Sequence, residues 1–233
     1  MNIHYALMSC DDNPMYLDFW PLVSKVWKIR FNIDPILIYV SNKKMELDQT
    51  YGEVIQLNPI DNFSITPQAQ FARLWYLQFL KDKICITSDI DMFPLSKWYF
   101  QTQLNKINDD EYVVLAQSDY NNICYNVASG FKFKEILELK DNWSDQINIL
   151  NEEKYQKDGE IKWASDEIFL NDILKNKNIH RILRAQNTRI DRTNWNYNIT
   201  KLKLDTFYYD SHSLRPYNTY KNQIDLLINQ ILE

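Results

Sequence analysis

Short apolar runs separated by stretches of helical periodicity constrain this chain most. Ile3 to Met8, Pro35 to Val40, Val54 to Leu57, Ile84 to Ile86 and Tyr112 to Ala116 are too brief for helices and too hydrophobic for loops, so they read as buried strands. Between them, Leu17 to Phe31 carries Phe19, Val23, Val26 and Trp27 on one helical face, with Pro21 in the first turn or at a kink. Thr66-Pro67 has the form of a helix start, with Thr66 as N-cap, and Phe71, Trp75 and Phe79 follow at helical spacing. A short helix is predicted over Leu95 to Leu104. Apolar strands alternating with helices imply an α/β fold, a mostly parallel central sheet flanked by helices. The chain has 233 residues, enough for one such domain over 1–233.

Such sheets bind ligands outside the carboxyl ends of their strands, so the polar residues there are the candidates for chemistry. Ser9, Asp11 and Asp12 follow the first strand, and Ser88, Asp89 and Asp91 follow Ile84 to Ile86. In an extended backbone Asp89 and Asp91 share a face, about 7 Å apart at Cα. Paired carboxylates repel. A hard divalent ion such as Mg²⁺ or Mn²⁺, its shell completed by diphosphate oxygens, removes that cost. Taken alone, Asp-x-Asp is also a common turn or helix cap.

Further on, Ala128-Ser129-Gly130 includes one of only 3 glycines and marks a tight backbone position beside a ligand or a crossing strand. Ser165 is the predicted cap of a helix whose first turn holds Asp166 and Glu167, where the helix dipole favours acids. Ile182-Leu183 reads as a short strand. Thr206 to Tyr209 reads as the last one, delivering Asp210, Ser211 and His212 at its end. Ile224, Leu227, Ile228 and Ile231 form the apolar stripe of a closing helix.

A net charge of −5 without a basic stripe argues against nucleic acid as partner. Aromatics at 14% exceed the needs of a core, and Trp163 and Trp195 are candidates to face a sugar ring. Cys10, Cys85 and Cys124 lack metal-ligand spacing and read as buried free thiols of a reducing compartment. The N-terminus has no basic region followed by an apolar stretch, and no segment approaches a membrane span, so a cytoplasmic protein is expected.

Several motifs occur in a telling order: Ile3 to Asp12, Gln70-Phe71-Ala72-Arg73, Ser88-Asp89-Ile90-Asp91, Asn126 to Gly130, Trp163 to Glu167, and Asp210-Ser211-His212-Ser213-Leu214-Arg215-Pro216. On these the chain resembles the GT-A fold of nucleotide-sugar glycosyltransferases, in particular small enzymes of large algal viruses and, more distantly, glycosyltransferase family eight. The resemblance implies a metal-dependent transferase that moves a sugar from a nucleotide diphosphate donor, a UDP-sugar, to a glycan, glycoprotein or other hydroxyl acceptor. It implies that Asp89 and Asp91 hold the metal and the donor ribose or diphosphate, with His212 as a further ligand. An imidazole ligand would favour Mn²⁺ over Mg²⁺.

By the same resemblance Arg73 and Ser88 lie beside the donor, and Ser9, Asp11 and Asp12 lie near its base and ribose. Arg215 and Arg192 are candidates for phosphate contacts on their chemistry, since a planar guanidinium fork suits diphosphate. Asp166 and Glu167 are placed against the donor sugar and the acceptor hydroxyl as catalytic residues. From the residues alone Arg73, two positions from Phe71 and Trp75, projects away from their stripe toward either solvent or the carboxylates. The chain departs from family eight in having Asp166-Glu167 for Asp-Gln, in lacking the Gly after His212, and in Arg215-Pro216-Tyr217 for Lys-Pro-Trp. Two rival classes are a phosphoryl-transfer enzyme of the haloacid dehalogenase type, disfavoured by Phe93 and by the motif's place well into the chain, and a non-catalytic, divalent-ion-dependent sugar-binding module.

Overall fold

A computed structural model describes residues 1–116, 124–193, 195 and 202–233. The first apolar runs form β1 (Tyr5–Cys10), β2 (Asp34–Val40), β3 (Glu53–Leu57) and β4 (Ile84–Thr87). They are followed by β5 (Met92–Pro94), β6 (Val113–Ala116), β7 (Asn126–Ser129), the ribbon of β8 (Gln156–Lys157) and β9 (Glu160–Ile161), then β10 (His180–Leu183), β11 (Arg189–Ile190) and β12 (Asp210–His212). The helices are α1 (Pro14–Leu17), α2 (Trp20–Lys25), α3 (Ile65–Tyr76), α4 (Lys97–Phe100), α5 (Gly130–Leu137), α6 (Trp143–Asn148), α7 (Ser165–Leu174) and α8 (Tyr217–Leu232).

The central sheet has the order β10-β6-β7-β4-β1-β2-β3. All its pairings are parallel except those of β7, which is antiparallel to both neighbours. Strands β2 and β4 are buried almost from end to end, which is why their sequences are unbroken apolar runs rather than alternating ones. Helix α3 packs on β1 and β2 and buries Phe71 and Leu74. In α8 the stripe of Ile224, Leu227, Ile228 and Ile231 is buried as its spacing implied. Among the described residues no helix is long and apolar enough to cross a membrane.

Several local expectations need correction. The first strand runs on through Ser9 and Cys10, because they pair with Ile38 and Tyr39 of β2. The segment from Leu17 to Phe31 is no single helix. It is the end of α1, then α2, then a π-helical turn, Val26–Arg30, with Pro21 at the start of α2 where its missing N–H loses no bond. Thr66 is not the cap of α3. The helix begins at Ile65, and the Thr66 hydroxyl donates instead to Asp11 Oδ2 at 2.8 Å. Phe79 falls beyond α3 in a 3₁₀ turn, Leu77–Leu80, and is exposed. The expected helix Leu95 to Leu104 is only α4 followed by a 3₁₀ turn, Thr102–Lys106.

Ser165 begins α7 as a helical residue after the cap position Ala164, and its hydroxyl makes no hydrogen bond among the described residues. At Gly130 an added Cβ would lie 2.4 Å from the Leu77 carbonyl oxygen and 2.6 Å from the Lys81 nitrogen. The turn before β4 causes that crowding, not a ligand or a crossing strand. Thr206 to Tyr209 is not a strand either. The strand is Asp210–His212 itself, in a second sheet of order β11-β12-β5. An acidic residue can enter this buried strand because two arginines neutralise it: Arg184 donates to Asp210 at 3.0 and 2.9 Å, and Arg189 at 2.7 Å.

Candidate active site

A cavity of about 280 Å³ opens beyond the carboxyl ends of β1 and β4. Ser9, Cys10 and Asp11 reach it from β1 and its following turn, Asp89 to Asp91 from the end of β4, Arg73 from α3, Asp166 and Glu167 from α7, and His212 from β12. Arg192 and Arg215 complete its basic wall.

The two aspartates do not lie on one face of an extended strand. Asp89-Ile90-Asp91 is a turn between β4 and β5, in which the Met92 N–H donates to the Asp89 carbonyl at 3.2 Å. The carboxylates therefore meet different partners.

Asp89 Oδ1 accepts from Arg73 Nη1, and Oδ2 accepts from the Cys124 thiol at 2.7 Å. Arg73, which is buried, also donates to the Ser88 carbonyl at 2.8 Å and lies 3.5 Å from Asp166 Oδ2. Of the two orientations left open by its spacing, Arg73 thus takes the one toward the carboxylates. Burial works against charge on Asp89, but Arg73 and the thiol outweigh it and hold the carboxyl below its ordinary value. Burial, and then the neighbouring Asp89, push the Cys124 thiol well up, so it is a neutral donor. Burial raises Asp166 to about 6, with Arg73 opposing and Asp89 reinforcing. Glu167 is raised by burial and then by Asp89.

Asp91 has a different setting. Its Oδ2 is buried and makes no hydrogen bond among the described residues. Three nitrogens surround it: His212 Nε2 at 3.4 Å, Arg215 Nε at 3.4 Å and Arg192 Nη1 at 3.6 Å. The backbone sets this juxtaposition. Strand β12 pairs antiparallel with β5 so that His212 opposes Met92, and the Ser213 N–H donates to the Asp91 carbonyl at 2.9 Å. On its other side the imidazole Nδ1 lies 3.4 Å from Asp191 Oδ2. Two residues back along β12, Asp210 anchors the strand. Despite full burial, Arg189 and then Arg184 bring its carboxyl down to about 2.

The donor chemistry at Asp91 suits a hard divalent cation, since an anionic oxygen with unused acceptor capacity faces an imidazole nitrogen. Among the described residues, however, no three His, Cys, Asp or Glu side chains converge at metal-holding spacing. Asp89 is engaged by Arg73 and Cys124 instead.

Asp11 accepts from the Asn13 N–H at 3.1 Å as well as from Thr66. Ser9 Oγ and Gln70 Oε1 are buried without a hydrogen bond among the described residues, and both residues line the cavity. Three sequence candidates do not line it, Asp12, Ser88 and Trp195. Asp12 pairs with Lys43, and the buried Ser88 donates its hydroxyl to the Asp89 carbonyl at 3.1 Å. At the rim Trp163 is 62% exposed, its ring 6.5 Å from that of Tyr16. The Arg215 guanidinium lies 4.6 Å over the Tyr16 ring.

Sequence reasoning missed Tyr16, the Thr66–Asp11 contact, and the approach of Cys124 and Asp191. None of these left a local signal, whereas Gln70, already quoted in the motif with Arg73, stands three residues before it and shares its helix face.

No protein-family model matches this chain, and no curated protein matches it in sequence. Its architecture is nonetheless shared: it has the GT-A fold, the α/β arrangement of nucleotide-diphospho-sugar transferases. Among solved structures it is similar to a glycosyltransferase involved in the glycosylation of the major capsid of PBCV-1, with a TM-score of 0.54 at 10% identity over 96% of this chain and 98% of the other. It is also similar to the galactosyltransferase LgtC in complex with donor and acceptor sugar analogues, with a TM-score of 0.52 at 15% identity over 91% of this chain and 87% of LgtC. An active-site mutant of LgtC matches equally, with a TM-score of 0.52 at 16% identity.

Proposed function

We propose that this chain is a glycosyltransferase that moves a sugar from a nucleotide diphosphate donor, a UDP-sugar, to a hydroxyl of a glycan acceptor, with Mn²⁺ or Mg²⁺ as cofactor. The observation that carries this reading is Asp91 Oδ2, a buried anionic oxygen with no hydrogen-bond partner among the described residues, ringed by His212, Arg192 and Arg215 in the cavity that also holds Asp166 and Glu167. The GT-A fold and the glycosyltransferase activities of the similar structures support it.

In this reading Ser9 and Asp11 meet the nucleoside. Arg192 and Arg215 attract the diphosphate, for which their planar forks are suited. Asp91 and His212 would hold the cation, beside an Asp89 already engaged by Arg73 and the Cys124 thiol, and the ion when bound supplies Lewis-acid stabilisation of the negative charge gathering on the departing diphosphate. Arg73 keeps Asp89 anionic and sets the distance from Asp89 to Asp166. Asp166, or Glu167 beside it, either takes the acceptor proton or steadies positive charge at the sugar carbon, and both tasks need a carboxylate. Trp163 and Tyr16 offer aromatic faces to the acceptor ring at the rim.

Calorimetric titration with UDP, with and without Mn²⁺, followed by a panel of nucleotide sugars assayed for Mn²⁺-dependent turnover, tests the reading. We expect UDP to bind only with the cation and one donor to be hydrolysed. Glycan binding in a chain that ignores UDP would replace the transferase with a sugar-binding module.

A further inference from the structure

Among the described residues, Asp91 is the only carboxylate within ion-pair reach of Arg192 and of Arg215. Two guanidiniums therefore share one buried negative charge. Neither contact is a hydrogen bond: the distances are 3.6 and 3.4 Å, and both Arg192 Nη1 and Asp91 Oδ2 are buried without a hydrogen-bond partner. By contrast Arg184 and Arg189 make hydrogen bonds to Asp210 of 2.7 to 3.2 Å that fix their forks. Arg192 and Arg215 neutralise Asp91 without being locked to it.

We propose that Arg192 and Arg215 are exchangeable counter-ions of Asp91, which a divalent cation displaces and which then bind the donor's diphosphate. The idea rests on the metal-dependent reading above and adds a sign to it. A dication at Asp91 Oδ2 would stand among two guanidiniums of like charge, so without nucleotide the arginines oppose metal binding. The diphosphate supplies the missing negative charge, and in its presence the same arginines favour the loaded state. Cation and nucleotide are then coupled through two side chains, each raising the other's affinity.

Arg192→Gln tests this with two binding measurements, Mn²⁺ alone by electron paramagnetic resonance and UDP at saturating Mn²⁺ by calorimetry. Arg192 is partly exposed, so each effect is of the size of a screened ion pair. We expect Mn²⁺ alone to bind about fivefold more tightly and UDP about fivefold more weakly, in opposite directions. Arg192→Lys, which keeps the charge and loses the fork, should bind Mn²⁺ alone as the parent chain does while still binding UDP more weakly. Parallel weakening of both ligands in Arg192→Gln, or unchanged Mn²⁺ affinity, overturns the exchange and leaves the transferase reading standing. A parent chain that binds neither Mn²⁺ nor UDP overturns both.

Discussion

The two aspartates of one short turn face opposite kinds of wall. On the Asp89 side both carboxylate oxygens are hydrogen-bonded, to Arg73 and to the Cys124 thiol, while Arg73 reaches Asp166 at 3.5 Å and keeps a buried Nε without a hydrogen bond among the described residues. On the Asp91 side the neighbours stand at 3.4 to 3.6 Å, and the buried oxygen has no hydrogen bond among the described residues. A satisfied buried network is rigid and costly to break, whereas loosely paired charge is open to a ligand. One wall is held by hydrogen bonds, and the other, on the proposal above, changes partners.

Substitutions on the two walls should therefore fail in different ways. Asp91→Asn keeps the shape and removes the charge. We expect transfer to fall by about 10³-fold or more with the melting temperature unchanged, read by donor hydrolysis and calorimetry. A stable variant with parental turnover would remove Asp91 from the chemistry. Arg73→Gln strands Asp89 and Asp166 without their cation and should cost about 3 kcal/mol of folding free energy, measured by urea unfolding. If that variant is as stable as the parent, the closed wall is not a structural network.

The pH dependence sharpens the same contrast. Asp166 is raised from 3.8 to about 6, so between those values the folded chain keeps a proton that the unfolded chain has lost. Its contribution makes the fold less stable as pH rises through that window and is constant above it. In the proposed reaction activity runs the other way, because there the Asp166 carboxylate is the working form: turnover should rise with pH through about 6. Arg73 holds that value down, so in Arg73→Gln the rise should move to higher pH, and a profile that stays put would separate Asp166 from Arg73. The smallest effect is expected at the rim. Trp163→Ala should raise the acceptor KM about fivefold and leave the donor KM alone, as fits the loss of one aromatic face.

Much of this was legible in the sequence because burial writes itself into composition. Most central strands were visible as apolar runs, but β7 was not, and β1 continues through Ser9 and Cys10 beyond the run that marked it. The fate of Asp89 and Asp91 was not legible, since alternation along a strand says nothing of a turn that sends neighbours to separate walls. Thr66 looked like a cap because Thr-Pro has that form, but its hydroxyl is claimed by Asp11 from another element. Asp210 to His212 read as the polar end of a strand over Thr206 to Tyr209. Only the structure shows that Arg184 and Arg189 neutralise the acid and let β12 form. Contacts between elements far apart in the chain, such as Cys124 with Asp89, leave no local trace.

The ladder that pairs β5 with β12 fixes His212 beside Met92, next to Asp91, by register rather than by the chain that runs between them. Segments inserted or trimmed in that intervening stretch would reshape the approach to the cavity while the imidazole and the carboxylate kept their separation. Only loops of that stretch away from Asp166, Glu167 and Arg192 have this freedom, since those residues line the cavity too.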